Sequence, residues 1–229
     1  MGKEVTNARI AQRFILSFIL MSAALFGSAG TVLWPEAWLY IVVHLGFSFF
    51  MTSWLKTHDP DLLKSRMQFI NPSARDWDKR FLWIFFLLFI PFLVVIGLDA
   101  IRFGWTSVWM PFKIAAVPVL VWGLWMIYRV MKVNSFASPF VEVQEDRGHR
   151  VVQTGPYAYV RHPMYLSTIV MLFALPVWLG SICALLLAAM MSAVLVVRIF
   201  SEEEVLCAEL EGYTEYTGRV HYRLIPKIW

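Results

Sequence analysis

The stretch MYLSTIVMLFALPVWLGSICALLLAAMMSAVLVVRIF, residues 164–200, holds one basic residue, Arg198, and no acidic one across its 37 positions. At about 1.5 Å of rise per residue a single helix of that length would extend about 55 Å, whereas a bilayer core is about 30 Å thick. The run therefore folds back on itself. Pro176 and the Trp178-Leu179-Gly180-Ser181 segment punctuate it, which predicts one helix over 163–178 and a second over 181–200.

Outward from this hairpin, four more apolar runs of spanning length precede it, at about 14–34, 37–55, 81–101 and 112–131. The chain has 229 residues, of which 59% are hydrophobic and only 16% charged, with mean hydropathy +0.62. A soluble domain carries about a quarter charged residues. The expectation is an all-α, polytopic membrane protein of about six helices (five to six), with the first apolar run retained rather than cleaved as a signal peptide. Six spans put both termini on one side. With the amino terminus in the cytoplasm, 18 of the 20 basic residues, Lys3 among them, fall inside and only Arg102 and Lys113 fall outside.

That asymmetry accounts for the net charge of +4 better than a nucleic-acid surface does, because the basic residues flank apolar runs instead of forming a stripe. No nucleic-acid partner is expected. The two cysteines, Cys183 and Cys207, stand at no metal-ligand spacing and read as packing residues. His44, His58, His149, His162 and His221 lie far apart with no HExxH, so no metal is expected. The 12 glycines form neither GxGxxG nor GxxxxGK[ST], which removes the dinucleotide fold and the P-loop. In the inner segment 56–80, His58-Asp59-Pro60-Asp61 and Asn71-Pro72 read as turn and cap chemistry.

Three polar clusters gather toward the carboxyl end. GPYAYVRHPMY, residues 155–165, packs Tyr157, Tyr159, Arg161, His162 and Tyr165 at the mouth of a span, with Pro163 suited to the first helical position. Such a cluster reads either as a site for a small charged heteroaromatic ligand or as an interfacial belt. Arg198 and Glu202 are four residues apart and share a helix face if the helix continues past 200; alone, this is equally a snorkelling arginine beside a solvated acidic run. Gln144–Val152, QEDRGHRVV, reads as a loop followed by a short strand-like run.

Taken together, GPYAYVRHPMY, SEEEVL at 201–206 and GYTEYTGRVHYRLIP at 212–226 resemble the isoprenylcysteine carboxyl methyltransferase family, one of the integral membrane methyltransferases that also include the phospholipid N-methyltransferases. The resemblance covers roughly 140–226, and WPEAW at 34–38 and the WDK of 77–79 are also similar. It divides the chain into amino-terminal transmembrane helices, 1–135, and a catalytic region, 136–229, built from a cofactor loop, the last hairpin and the tail. It implies S-adenosylmethionine held without a Rossmann domain, in a cytoplasmic pocket formed by Gln144, His149, Arg150, Val151, Val152, Tyr157, His162, Pro163, Met164 and Tyr165. Glu202 would meet the methionyl part of the cofactor and Arg198 the methyl acceptor.

Methyl transfer from a sulfonium is an in-line displacement whose main demand is alignment and exclusion of water. A carboxylate acceptor needs no strong base; an amine must lose a proton, and Glu203 or Glu202 is then the base. The expected acceptor is a lipophilic molecule in the bilayer, an isoprenylcysteine-like carboxylate first and a phospholipid amine second. A non-catalytic membrane scaffold is the reading from a different class.

Overall fold

The computed structural model describes residues 5–68, 71 and 74–229; Lys3 and Pro72 lie outside the described residues. Eight α-helices and no strand occur among them: α1 (Asn7–Ser22), α2 (Pro35–His58), α3 (Pro60–Arg66), α4 (Asp76–Gly97), α5 (Met110–Val133), α6 (Pro163–Leu179), α7 (Ala184–Glu209) and α8 (Tyr213–Arg219). Wider π-type turns, Ala23–Gly27 and Leu98–Phe103, extend α1 and α4. Five helical segments are long and apolar enough to cross a bilayer, and the shorter apolar α6 makes the sixth apolar helix. The protein is thus an all-helical, multi-pass membrane protein.

Local chemistry sets most boundaries. Thr6 caps α1 by accepting from Arg9 N, so the helix starts within a polar turn that hydropathy alone places outside the span. Asp59 ends α2 and caps α3, its Oδ1 accepting from Leu62 N at 3.0 Å, in agreement with the cap chemistry read from the sequence. Pro163 occupies the first position of α6. Pro176, by contrast, lies inside α6; the stop is Gly180, whose φ of 95° is open to glycine at little cost. α7 does not end at 200 but continues to Glu209, because Ser201–Glu209 offers neither glycine nor proline. Arg198, Glu202 and Glu203 therefore ride on one rigid helix.

Two expectations are corrected. The run Arg150–Val152 is extended but forms no strand; instead of a ladder partner it finds side chains, Val151 packing against Leu210, Tyr213 and Tyr216. Cys183 and Cys207 are free and exposed, not packed in the core.

α4 packs on α7, α5 on α6, and α6 on α7, around a core with Phe92, Leu93, Ile96, Leu179 and Met191 fully buried. Gly97 lets α4 press against the turn after α1, where a Cβ would stand 2.7 Å from Leu25 O. At that end of the bundle, fully buried Asp99 gathers Thr106 N (2.8 Å), the Thr106 hydroxyl (2.7 Å), the Ser181 hydroxyl (2.6 Å) and Cys183 N (3.1 Å), tying α4 to the α6–α7 turn.

Candidate active site

At the opposite end of α4 a cavity of about 250 Å³ opens between α4, α6, α7, α8 and the connection that follows α5. Eleven of the thirteen residues assigned to the site from the family resemblance and the reaction chemistry line it: His149, Arg150, Val151, Val152, Tyr157, His162, Pro163, Met164, Tyr165, Arg198 and Glu202. Gln144 and Glu203 stand behind the wall.

The innermost wall is ionic. Arg198 Nη2 donates to Pro139 O at 2.6 Å and stands 2.8 Å from Asp78 Oδ1 of α4, as an ion pair without hydrogen-bond alignment. Asp78 is fully buried, and its Oδ2 accepts from Val141 N at 2.8 Å. The guanidinium lies 4.2 Å over the Phe81 ring and 5.9 Å from that of Tyr165. Arg198 does not pair with Glu202, one turn along; the Tyr165 hydroxyl donates to Glu202 Oε2 instead. Among the described residues, the buried donor Arg198 Nε has no hydrogen-bond partner.

Glu203, next along α7, turns away from the cavity. Arg161 grips it through Nε (2.6 Å) and Nη2 (3.3 Å), Arg223 Nε donates to Oε2 at 2.7 Å, and His162 Nε2 lies 3.1 Å from Oε1. Arg161 N and His162 N donate to Tyr222 O and Arg223 O, both at 2.9 Å, and Arg161 Nη1 donates to Val220 O and His221 O. The tail is thereby fastened to the start of α6. A carboxylate already surrounded by four nitrogens from three side chains is an anchor for the tail and has no lone pair directed at the cavity.

The outer wall is a strap of loop. His149 stacks on Phe136, centroids 4.3 Å apart, and its Nδ1 accepts from Gln144 N at 3.2 Å. Partial burial, helped by nearby Arg147, holds its imidazole down from the ordinary 6.5 to about 4, so the ring is neutral with the proton on Nε2. Gln144 braces the strap through Nε2 to Phe136 O and through Oε1, which accepts from Arg147. Tyr157 accepts from Asn134 Nδ2 at 2.8 Å, and its backbone carbonyl accepts from the Tyr216 hydroxyl at 2.7 Å. Burial first, with Glu202 adding to it, pushes the Tyr157 phenol up to about 12. Tyr159, in the same motif, is 72% exposed and points away.

Residues 112–210 match the family model described as phospholipid methyltransferase. The matched segment begins with α5 and ends one residue after α7, so it takes in the connection, the cavity's outer strap and the whole helical hairpin. Over this segment the chain is similar to the integral membrane methyltransferases, to which the isoprenylcysteine carboxyl methyltransferases are related. No curated protein matches the chain. Among the described residues no group of three or more histidine, cysteine or acidic side chains could hold a metal ion.

The sequence reading missed Asp78, Phe81 and Arg66. Arg66 lines the cavity from α3, donating Nη1 to Ala137 O at 2.8 Å, with burial lowering its own pKa to about 10. Asp78 had a signal: a carboxylate in the first turn of a long apolar helix, within the WDK element, is costly unless paired.

Proposed function

We propose that the protein transfers a methyl group from S-adenosylmethionine to a lipophilic acceptor drawn from the bilayer, and that the acceptor presents an anionic oxygen, a carboxylate in the first instance. The observation that carries this is the buried, unpartnered Nε of Arg198 at the cavity wall, a donor that burial makes costly to leave unmade.

The residues fit the methyl donor. Glu202 offers a carboxylate for its ammonium, His149 and Tyr157 offer flat faces, and Val151, Val152 and Leu206 offer an apolar bed for its base. When bound, S-adenosylmethionine supplies an electrophilic methyl group on a positively charged sulfur. The chain's own work is positional. Arg198, held by Asp78 and Pro139 O, fixes the acceptor's oxygen; Tyr165 orients Glu202; the tail, latched through Glu203 and Arg161, closes water out. Carboxylate methylation releases no proton and needs no base.

A second reading, phospholipid amine methylation, is favoured by a different observation: Asp78 neutralises Arg198, and Glu202 remains at the wall to receive an ammonium and its proton. Orientation with the cavity and both termini in the cytoplasm is supported by the charge count, since Arg102 and Lys113 alone mark the opposite face. The test is calorimetric binding of S-adenosylmethionine and S-adenosylhomocysteine to detergent-purified protein, beside Glu202→Ala, followed by labelled-methyl assays with farnesylcysteine analogues and phosphatidylethanolamine. Micromolar binding lost in Glu202→Ala, with turnover lost in Arg198→Ala at unchanged donor affinity, is the expected result. Absence of binding to folded wild type would leave the scaffold reading standing.

A further inference from the structure

A second cavity, of about 490 Å³, lies between α1, α2 and α4, and it shares no lining residue with the first. Its walls are mostly apolar, with Leu20, Phe86, Phe89 and Leu93 among them, and its volume is that of an ordinary small-molecule site. Along the α2 wall stand His44, Ser48 and Thr52. Steps of four residues put all three on one face, about 12 Å from first to last.

This ladder is unusual in its hydrogen bonding. Ser167, Thr168 and Ser192 on α6 and α7 return their hydroxyls to carbonyls one turn back on their own helices. Among the described residues, His44, Ser48 and Thr52 have no hydrogen-bond partner; His44 has only the Tyr40 ring, 5.8 Å away. Polar groups at membrane depth are costly unless satisfied, and these face a cavity. At its mouth is Arg13, which anchors α1 by donating to Arg66 O (2.9 Å) and Met67 O (3.0 Å) and brings a positive charge to the rim.

We propose that this crevice binds a bilayer phospholipid that is not the methyl acceptor: an acyl chain against the α1 and α4 walls, hydrogen-bonding groups of its ester region on the Ser48–Thr52 ladder, and its phosphate drawn to Arg13. The apolar walls, the unpartnered ladder and the rim cation match that molecule part for part. The site stands independently of the reaction assigned to the other cavity.

Native mass spectrometry of delipidated protein in dodecyl maltoside, titrated with dioleoylphosphatidylglycerol, tests it. One saturable adduct is expected for wild type. Ser48→Val combined with Thr52→Val should weaken it about tenfold, the effect of two neutral hydrogen bonds, at an unchanged lipid-free unfolding midpoint. Ser48→Trp, which fills the crevice, should abolish it. Equal affinity in wild type and both variants would overturn the proposal, as would unsaturable adducts, which signify micelle partition only. Loss of the adduct in Arg198→Ala with retention in Ser48→Trp would overturn it too, placing the lipid in the other cavity.

Discussion

α4 carries a fully buried carboxylate near each end, and the two are satisfied in opposite ways. Asp99 collects four neutral donors from two loops and, among the described residues, pairs with no cation. Asp78 has one backbone amide and one guanidinium, and that guanidinium keeps an unpartnered nitrogen beside a cavity. A buried carboxylate that collects four donors is a structural staple; on the function proposed above, the incomplete partner of the other is held for a ligand. Acid for acid, the difference separates the end of the molecule that holds the bundle together from the end proposed to do chemistry.

The sharpest way to break this comparison is Asp99→Ala. It orphans the buried Ser181 hydroxyl at about 1–3 kcal/mol and three part-buried donors at about 0.5–1.5 kcal/mol each, so a loss of about 4 kcal/mol is expected, read as a fall in the detergent unfolding midpoint. Donor affinity of the protein that remains folded should not change. Asp78→Asn should cost somewhat less stability, about 3 kcal/mol for a broken buried pair, yet abolish turnover because Arg198 loses its orientation. If Asp78→Asn kept full turnover and Asp99→Ala lost it, the two roles would be exchanged.

Smaller effects sharpen the picture at the cavity end. Tyr157→Phe removes one hydrogen bond, from Asn134, and should cost about 1 kcal/mol of stability, seen as a small midpoint shift. The smallest effect is in pH. Because the folded-state pKa of His149 lies near 4, below its ordinary 6.5, the unfolded chain takes up the proton first as pH falls. The contribution of His149 is therefore whole above about pH 6.5 and lost progressively down to about pH 4. Unfolding midpoints across that window should flatten in His149→Phe, which retains the stack on Phe136 but cannot titrate.

Much of the candidate cavity is legible because its residues are close in sequence. His162 to Tyr165 follow one another at a helix start, and Arg198 and Glu202 are one turn apart; period groups each set, and the family resemblance implies one pocket for both. The partners of those residues were not legible. Arg198 was read against Glu202, its neighbour by period, but it belongs to Asp78, more than a hundred residues earlier on another helix. Glu203, which the sequence offers beside Glu202 as the base for an amine acceptor, is surrounded by Arg161, His162 and Arg223, which converge only when the tail returns to α6.

By itself the sequence determined the membrane class and the helical hairpin, because hydropathy, helix length and caps act within a few turns of chain, while the wall residues were implied only by the family resemblance. Only the tertiary structure decided which charge answers which. Ion pairs depend on distance in space, and in a bundle of spans the nearest cation to a carboxylate is set by which helices pack, a relation that local periodicity does not encode.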